Sequence, residues 1–201
     1  MTDLHAAATD AWGPPRTKTT TWYDPAISAT AAMSLPGREF LQAIVDGELP
    51  RPPMAELTSA RLVSVGDGEA VFRCTPDEST YNPVGIVHGG LLCTLLDSAA
   101  GCAVQSALPA GVGISSIEIK VSFLSAVRAD SGELEVTGRA LRVGRQVAFA
   151  EAHARAPDGK LVGHATTSIA LVRPQEAESG ATAIAAGQAL RPDSERLRGA
   201  P

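Results

Sequence analysis

The chain is poor in cysteine, in excess positive charge and in long apolar runs, and each shortage removes a class of function. Its three cysteines, Cys74, Cys93 and Cys102, have no metal-type spacing and make an odd count. They predict reduced thiols in a cytoplasmic protein rather than a disulfide framework or a zinc site. The formal net charge is -5, whereas a surface for nucleic acid normally carries a basic excess, so nucleic acid is excluded as the main partner. No stretch approaches the roughly 18 apolar residues of a membrane span. The nearest, Gly89 to Ala107, is broken by Asp97 and Gln105. The first residues, MTDLHAAATDAWGPP, carry an early acid and no apolar core, which predicts that they are not a signal peptide. Glycine-rich phosphate loops, zinc-ligand spacings, a GxSxG elbow and internal repeats are all missing.

What remains is ordinary globular composition, 44% hydrophobic and 19% charged in 201 residues, enough for one domain with tails. Residues 1–36, rich in Ala, Thr and Pro, are expected to form a poorly ordered or peripheral extension. Residues 174–201, rich in Ala, Gly, Glu and Arg, are expected to form a disordered tail. Residues 37–173 carry the pattern of a fold. Phe40, Leu41, Ile44 and Val45 recur at helical spacing, and Gly47 and Pro50 end that helix. Pro50, Pro52 and Pro53 read as a stiff connector.

From Ala60 the period becomes that of strands. Arg61 to Val65 and Glu69 to Cys74 flank Gly66-Asp67-Gly68, a hairpin signal. His88 to Ala107 is apolar on nearly every side, so as a helix it must be wrapped by other structure. Ser115 to Phe123 then alternates, Gly132 to Val143 meets Gln146 to Arg155 at Gly144-Arg145, and Lys160 to Val172 closes the series. Two strands, a buried helix and several long antiparallel strands make an α+β order. A curved antiparallel sheet wrapped around the one long helix, the hot-dog fold, buries that helix most economically, with an extra N-terminal helix alongside. One such sheet leaves an edge and part of the helix uncovered, which predicts pairing with a second chain.

The segment YNPVGIVHGG followed by LLCTLLDSAAG is the most specific part of the sequence. With Asn82, His88, Gly89, Gly90 and Asp97 at their spacing, a serine before an alternating strand and the Gly144-Arg145 hairpin, residues 37–172 resemble the PaaI-like (phenylacetate-type) acyl-CoA thioesterases. The resemblance implies a thioester hydrolase acting on an acyl- or aryl-acyl-CoA. Coenzyme A belongs to the substrate, and neither a metal nor a separate cofactor is expected.

A carboxylate in mid-helix among apolar residues costs several kcal/mol unless hydrogen-bonded or facing a cavity. Asp97 is therefore either a paired helix-face acid or, as the resemblance implies, a general base or nucleophile. Gly89 and Gly90 fall where the first helical turn leaves N–H groups free and the helix dipole favours negative charge. The glycines either allow close packing or, by resemblance, give the oxyanion-hole N–H at Gly89 with support from Gly90. His88 is a helix cap or an orienting group. Asn82 serves the turn with Pro83 or positions water or the thioester carbonyl. Ser116, or Ser115 if the register slips by one, matches the hydroxyl that sits beside the acid. Arg142 and Arg145, flanking Gly144, are candidates for CoA phosphates or simply solvated hairpin charges.

Gly89 and Asp97 are eight positions apart, about 12 Å along a helix. That is too far for both to address one carbonyl, which predicts a shared site at a homodimer interface. Asn82, His88 and Gly89 would come from one chain and Asp97 from the other, and relatives commonly pair such dimers into a homotetramer. The other readings are a hot-dog dehydratase or hydratase, and an acyl-CoA-binding module without turnover.

Overall fold

The computed structural model describes residues 12–173. The expected C-terminal tail and the first eleven residues lie outside this range. Three helices lead in: α1 (Pro25–Ser34), α2 (Gly37–Val45) and α3 (Pro53–Thr58). A hairpin follows, β1 (Ala60–Gly66) and β2 (Glu69–Cys74), then the long helix α4 (Gly89–Ser106). The described residues then run through β3 (Gly113–Phe123), β4 (Leu134–Val143), β5 (Val147–Arg155) and β6 (Leu161–Val172). The six strands form one antiparallel sheet in the order β1-β2-β4-β5-β6-β3. The hot-dog expectation holds: the sheet wraps α4, and β1 and β3 are its edges.

Two elements differ from the sequence reading. Within residues 1–36, Pro25–Ser34 is helical, with the Asp24 carboxylate accepting the Ala26 N–H at 2.9 Å, and it buries no residue. The proline run is not only a connector, because Pro53 opens α3. The first helical position has no use for an N–H, so proline starts a helix there without loss.

The sheet's inner face is lined by small residues. Ala70, Ala148, Ala150, Ala152, Ala154 and Ala165 are all essentially inaccessible, and opposite them pack Leu95, Leu96, Ala99, Ala100 and Val104 of α4. Methyl groups in place of larger side chains let the helix approach almost to backbone contact, and burial of each large aliphatic contributes roughly 1.5–3 kcal/mol. One such close approach is at Gly138 of β4, where a Cβ would lie 2.0 Å from the Ala99 carbonyl oxygen.

The β3 strand departs from simple alternation. Its pairing with β6 shifts between Ser116 and Glu118, leaving Ile117 as an extra residue that is 59% exposed. The sequence pattern placed Ile117 with Ile119 and Val121; the bulge instead turns it outward. Thr167, itself buried, pins this bulge by donating its hydroxyl to the Glu118 carbonyl at 2.6 Å.

Because a methyl at Gly138 would collide with helix backbone rather than a movable side chain, Gly138→Ala is expected to destabilise the fold by about 3 kcal/mol or more. The midpoint of urea unfolding, compared with that of wild type, checks this.

Candidate active site

The helix α4 is not apolar all round in its packing. Leu91, Leu92, Leu95, Leu96, Ala99 and Ala100 are buried, whereas Thr94, Asp97, Ser98 and Cys102 are only half-buried. The latter spacing of three to four residues makes a stripe along one side. Asp97 escapes the cost of an unpaired carboxylate because Ser116 of β3 donates its hydroxyl to Oδ1 at 2.8 Å.

The bulge decides which serine makes this bond. Ile119 and Val121 stand opposite Thr167 and Ala165 on the inner face, so unbroken alternation would bring Ser115 inward. The extra residue reverses the parity, and Ser116, opposite Ile169, points in while Ser115, opposite Ala170, points out.

Asp97 and Ser116 border a cavity of about 260 Å³ whose other walls are mainly apolar: Met54, Ala55, Phe72, Leu95, Cys102 and Ile114. Met54 and Ala55 come from α3, a helix the sequence reading missed; the Pro52-Pro53 pair was the signal for it. Cys102 is not a nucleophile in waiting. Burial and the neighbouring Asp97 charge push its thiol up to about 12, so it stays protonated beside the carboxylate.

The helix entrance forms a second cleft. His88 caps α4 with Nδ1, which accepts the Gly90 N–H at 2.8 Å, and its carbonyl accepts the Leu91 N–H at 3.0 Å. The His88 side chain is thus spent on the cap, with Nε2 left to face outward. Of the first three N–H groups, only that of Gly89 has no acceptor among the described residues. A side chain there would have to displace the Phe123 ring, since a Cβ would lie 2.9 Å from it. Asn82 serves its turn: its Oδ1 accepts from Val84 N–H at 3.0 Å and Ile86 N–H at 3.3 Å.

Within one chain the two groups stay apart. Asn82, Gly89, Phe123 and Leu124 line a cleft that includes neither Asp97 nor Ser116. Arg142 and Arg145 are exposed at the β4–β5 turn, where Gly144 N–H donates to the Val147 carbonyl at 3.0 Å. That turn lies at the end of the sheet where β3 begins, since Val147 and Gly113 both pair near the end of β6. Neither arginine borders the Asp97 cavity.

A single long helix held in a curved antiparallel sheet is the hot-dog fold. The model of the thioesterase superfamily matches residues 84–163. A conserved protein from Pseudomonas aeruginosa is similar in structure at 33% identity, covering 61% of this chain and 95% of that one, with a TM-score of 0.57. A phenylacetic acid degradation-related protein from Ralstonia eutropha JMP134 is 30% identical, covering 65% and 98%, with a TM-score of 0.59. Among curated sequences, mouse acyl-coenzyme A thioesterase 13 is 28% identical over 94 residues, which is 47% of this chain and 66% of that protein. This chain belongs to the thioesterase superfamily, in its PaaI-like group. It spans 58 to 66% of the length of the first curated relatives it matches.

Thiol reagents attack the thiolate, and burial also pushes Cys74 up to about 11. At pH 8 the thiolate is then only about one part in a thousand at Cys74 and less at Cys102. Native protein is expected to release colour rapidly from at most one of its three cysteines with a disulfide reagent, and from all of them in urea.

Proposed function

We propose that this chain hydrolyses acyl-CoA thioesters, with Asp97 as the general base or nucleophile and the Gly89 N–H as the oxyanion donor. The observation that carries this reading is the Asp97–Ser116 hydrogen bond at the mouth of an apolar cavity. Ser116 occupies one carboxylate oxygen and orients the group, which leaves Oδ2 to accept a proton from water or to attack the carbonyl carbon directly. The acyl group lies against Met54, Phe72 and Ile114. As the bond to the carbonyl carbon forms, charge gathers on the carbonyl oxygen, where a free N–H at a helix start stabilises it. Coenzyme A leaves as the thiol, and the acid is the second product. The names of the relatives, thioesterase and CoA hydrolase, support the same class.

Because the Gly89 cleft and the Asp97 cavity are separate in one chain, the working unit of this reading is a homodimer. Each site takes Gly89, His88 and Asn82 from one chain and Asp97 with Ser116 from the other. Support comes from β3, an edge strand with a free side, and from Ile117 and Phe123 on it and Leu124 just after it, which are 59, 56 and 52% exposed. An unpaired edge with exposed large apolar groups invites a second copy. Arg142 and Arg145 remain candidates for the CoA phosphates at the rim.

Thiol release from phenylacetyl-CoA and hexanoyl-CoA tests the activity. Asp97→Asn is expected to lower kcat by at least about a thousandfold while leaving the circular dichroism melt unchanged. Ser116→Ala, which removes only the orienting bond, is expected to cost about tenfold. An Asp97→Asn protein that keeps wild-type turnover ends the assignment.

The shared site has its own test. Gly89→Val and Asp97→Asn chains, each inactive alone, are unfolded together and refolded. Half of the sites in a mixed dimer then combine an intact Gly89 with an intact Asp97, so activity is expected to return. Mixing restores nothing if each chain carries a complete site.

A further inference from the structure

Glu151 and His153 stand two residues apart on β5, and His164 of β6 pairs directly across from His153. Their strand neighbours Ala150, Ala152 and Ala154 are buried toward α4, so these three side chains point to the outer face of the sheet, away from Asp97. The two imidazole centroids are 4.7 Å apart. One ligating atom from each of the three residues lies within 4.8 Å of the other two, and all three residues are half-buried.

Among the described residues, none of the three takes part in an ion pair, even though Arg139 stands directly across from Glu151 on β4. On the outer face Ser168 donates its hydroxyl to the Glu118 carboxylate at 2.7 Å and leaves the cluster out. Three half-buried donor groups within reach of one another, with no ion-pair partner among the described residues, suit a cation better than a salt bridge.

We propose that Glu151, His153 and His164 form a binding site for one divalent transition-metal ion of the zinc class, with water completing the coordination. Two imidazoles and one carboxylate are a zinc donor set, whereas magnesium and calcium call for more oxygens. Bonds of about 2.0–2.1 Å in a tetrahedron set donors about 3.4 Å apart, so the side chains need to close by little more than 1 Å, which small torsional adjustments supply. Bound there, the ion would tie β5 to β6 on the side of the sheet opposite the proposed thioesterase site, as a structural clamp.

Isothermal titration calorimetry with zinc chloride on the full chain, free of any affinity tag, tests this. One zinc ion per chain is expected, with no comparable heat from magnesium, and zinc should raise Tm. Glu151→Gln is expected to weaken binding by more than about tenfold, and His153→Asn with His164→Asn to abolish both the heat and the rise in Tm. Circular dichroism shows whether the double variant folds; if it does not, Glu151→Gln alone decides. Absence of zinc binding in the wild-type chain, or unchanged affinity in a folded variant, overturns the proposal.

Discussion

A carboxylate fixed in the middle of a packed helix governs much of this structure. Asp97 cannot be enclosed by apolar side chains without a large desolvation cost, so the helix cannot be wrapped on every side. The sheet curls around the Leu95, Leu96 and Ala99 side, and the Asp97 stripe stays half-buried, with Ser116 and Ile114 of β3 at its border. What is left open is a cavity bounded by the acid, its serine and the short helix α3. The same side chain that prevents full burial is thus the one that the open space exposes to a ligand.

Holding the acid in register requires the helix and sheet to be rigid relative to each other. The alanine-lined inner face and Gly138 bring β4 close to the backbone of α4 at Ala99. A sliding motion of even a fraction of an ångström would force atoms into one another there. The polar site is therefore set by apolar contacts two residues away from it along α4. On the sheet's other face, β5 alternates those alanines with Phe149, Glu151 and His153, which are free of the packing requirement.

The sequence was most legible where local chemistry and the global fold agree. His88 as the residue before α4, the Gly66-Asp67-Gly68 turn and the long strands after Gly132 all follow from caps, turn residues and period, and the structure has each of them. It was least legible where a single residue shifts the register. Nothing in SSIEIKVSF announces that Ile117 is extra, because each residue is a reasonable strand former. The bulge becomes evident only in the pairing with β6, where the buried Thr167 hydroxyl holds Glu118, 49 positions away in the chain. That one residue is also why Ser115 and Ser116 were indistinguishable by pattern. The helix at Pro53 was hidden for the opposite reason: proline is a strong breaker inside helices and a permitted residue at their start, and only the residues after it tell which.

The separation of Gly89 from Asp97 bears on how two copies would meet. Both residues belong to one helix, so a rotation of one chain that brings its Gly89 to the partner's Asp97 must do the reverse at the same time if the pair has two-fold symmetry. Such an axis crosses between the two α4 helices near their shared midpoint, about 6 Å from either residue along each helix, with the helices running antiparallel. Thr94 and Cys93 fall closest to that point, and they are half-buried in the single chain. In the proposed dimer, small side chains at this crossing would let the helices approach, and each carboxylate would then reach the free N–H of the other chain.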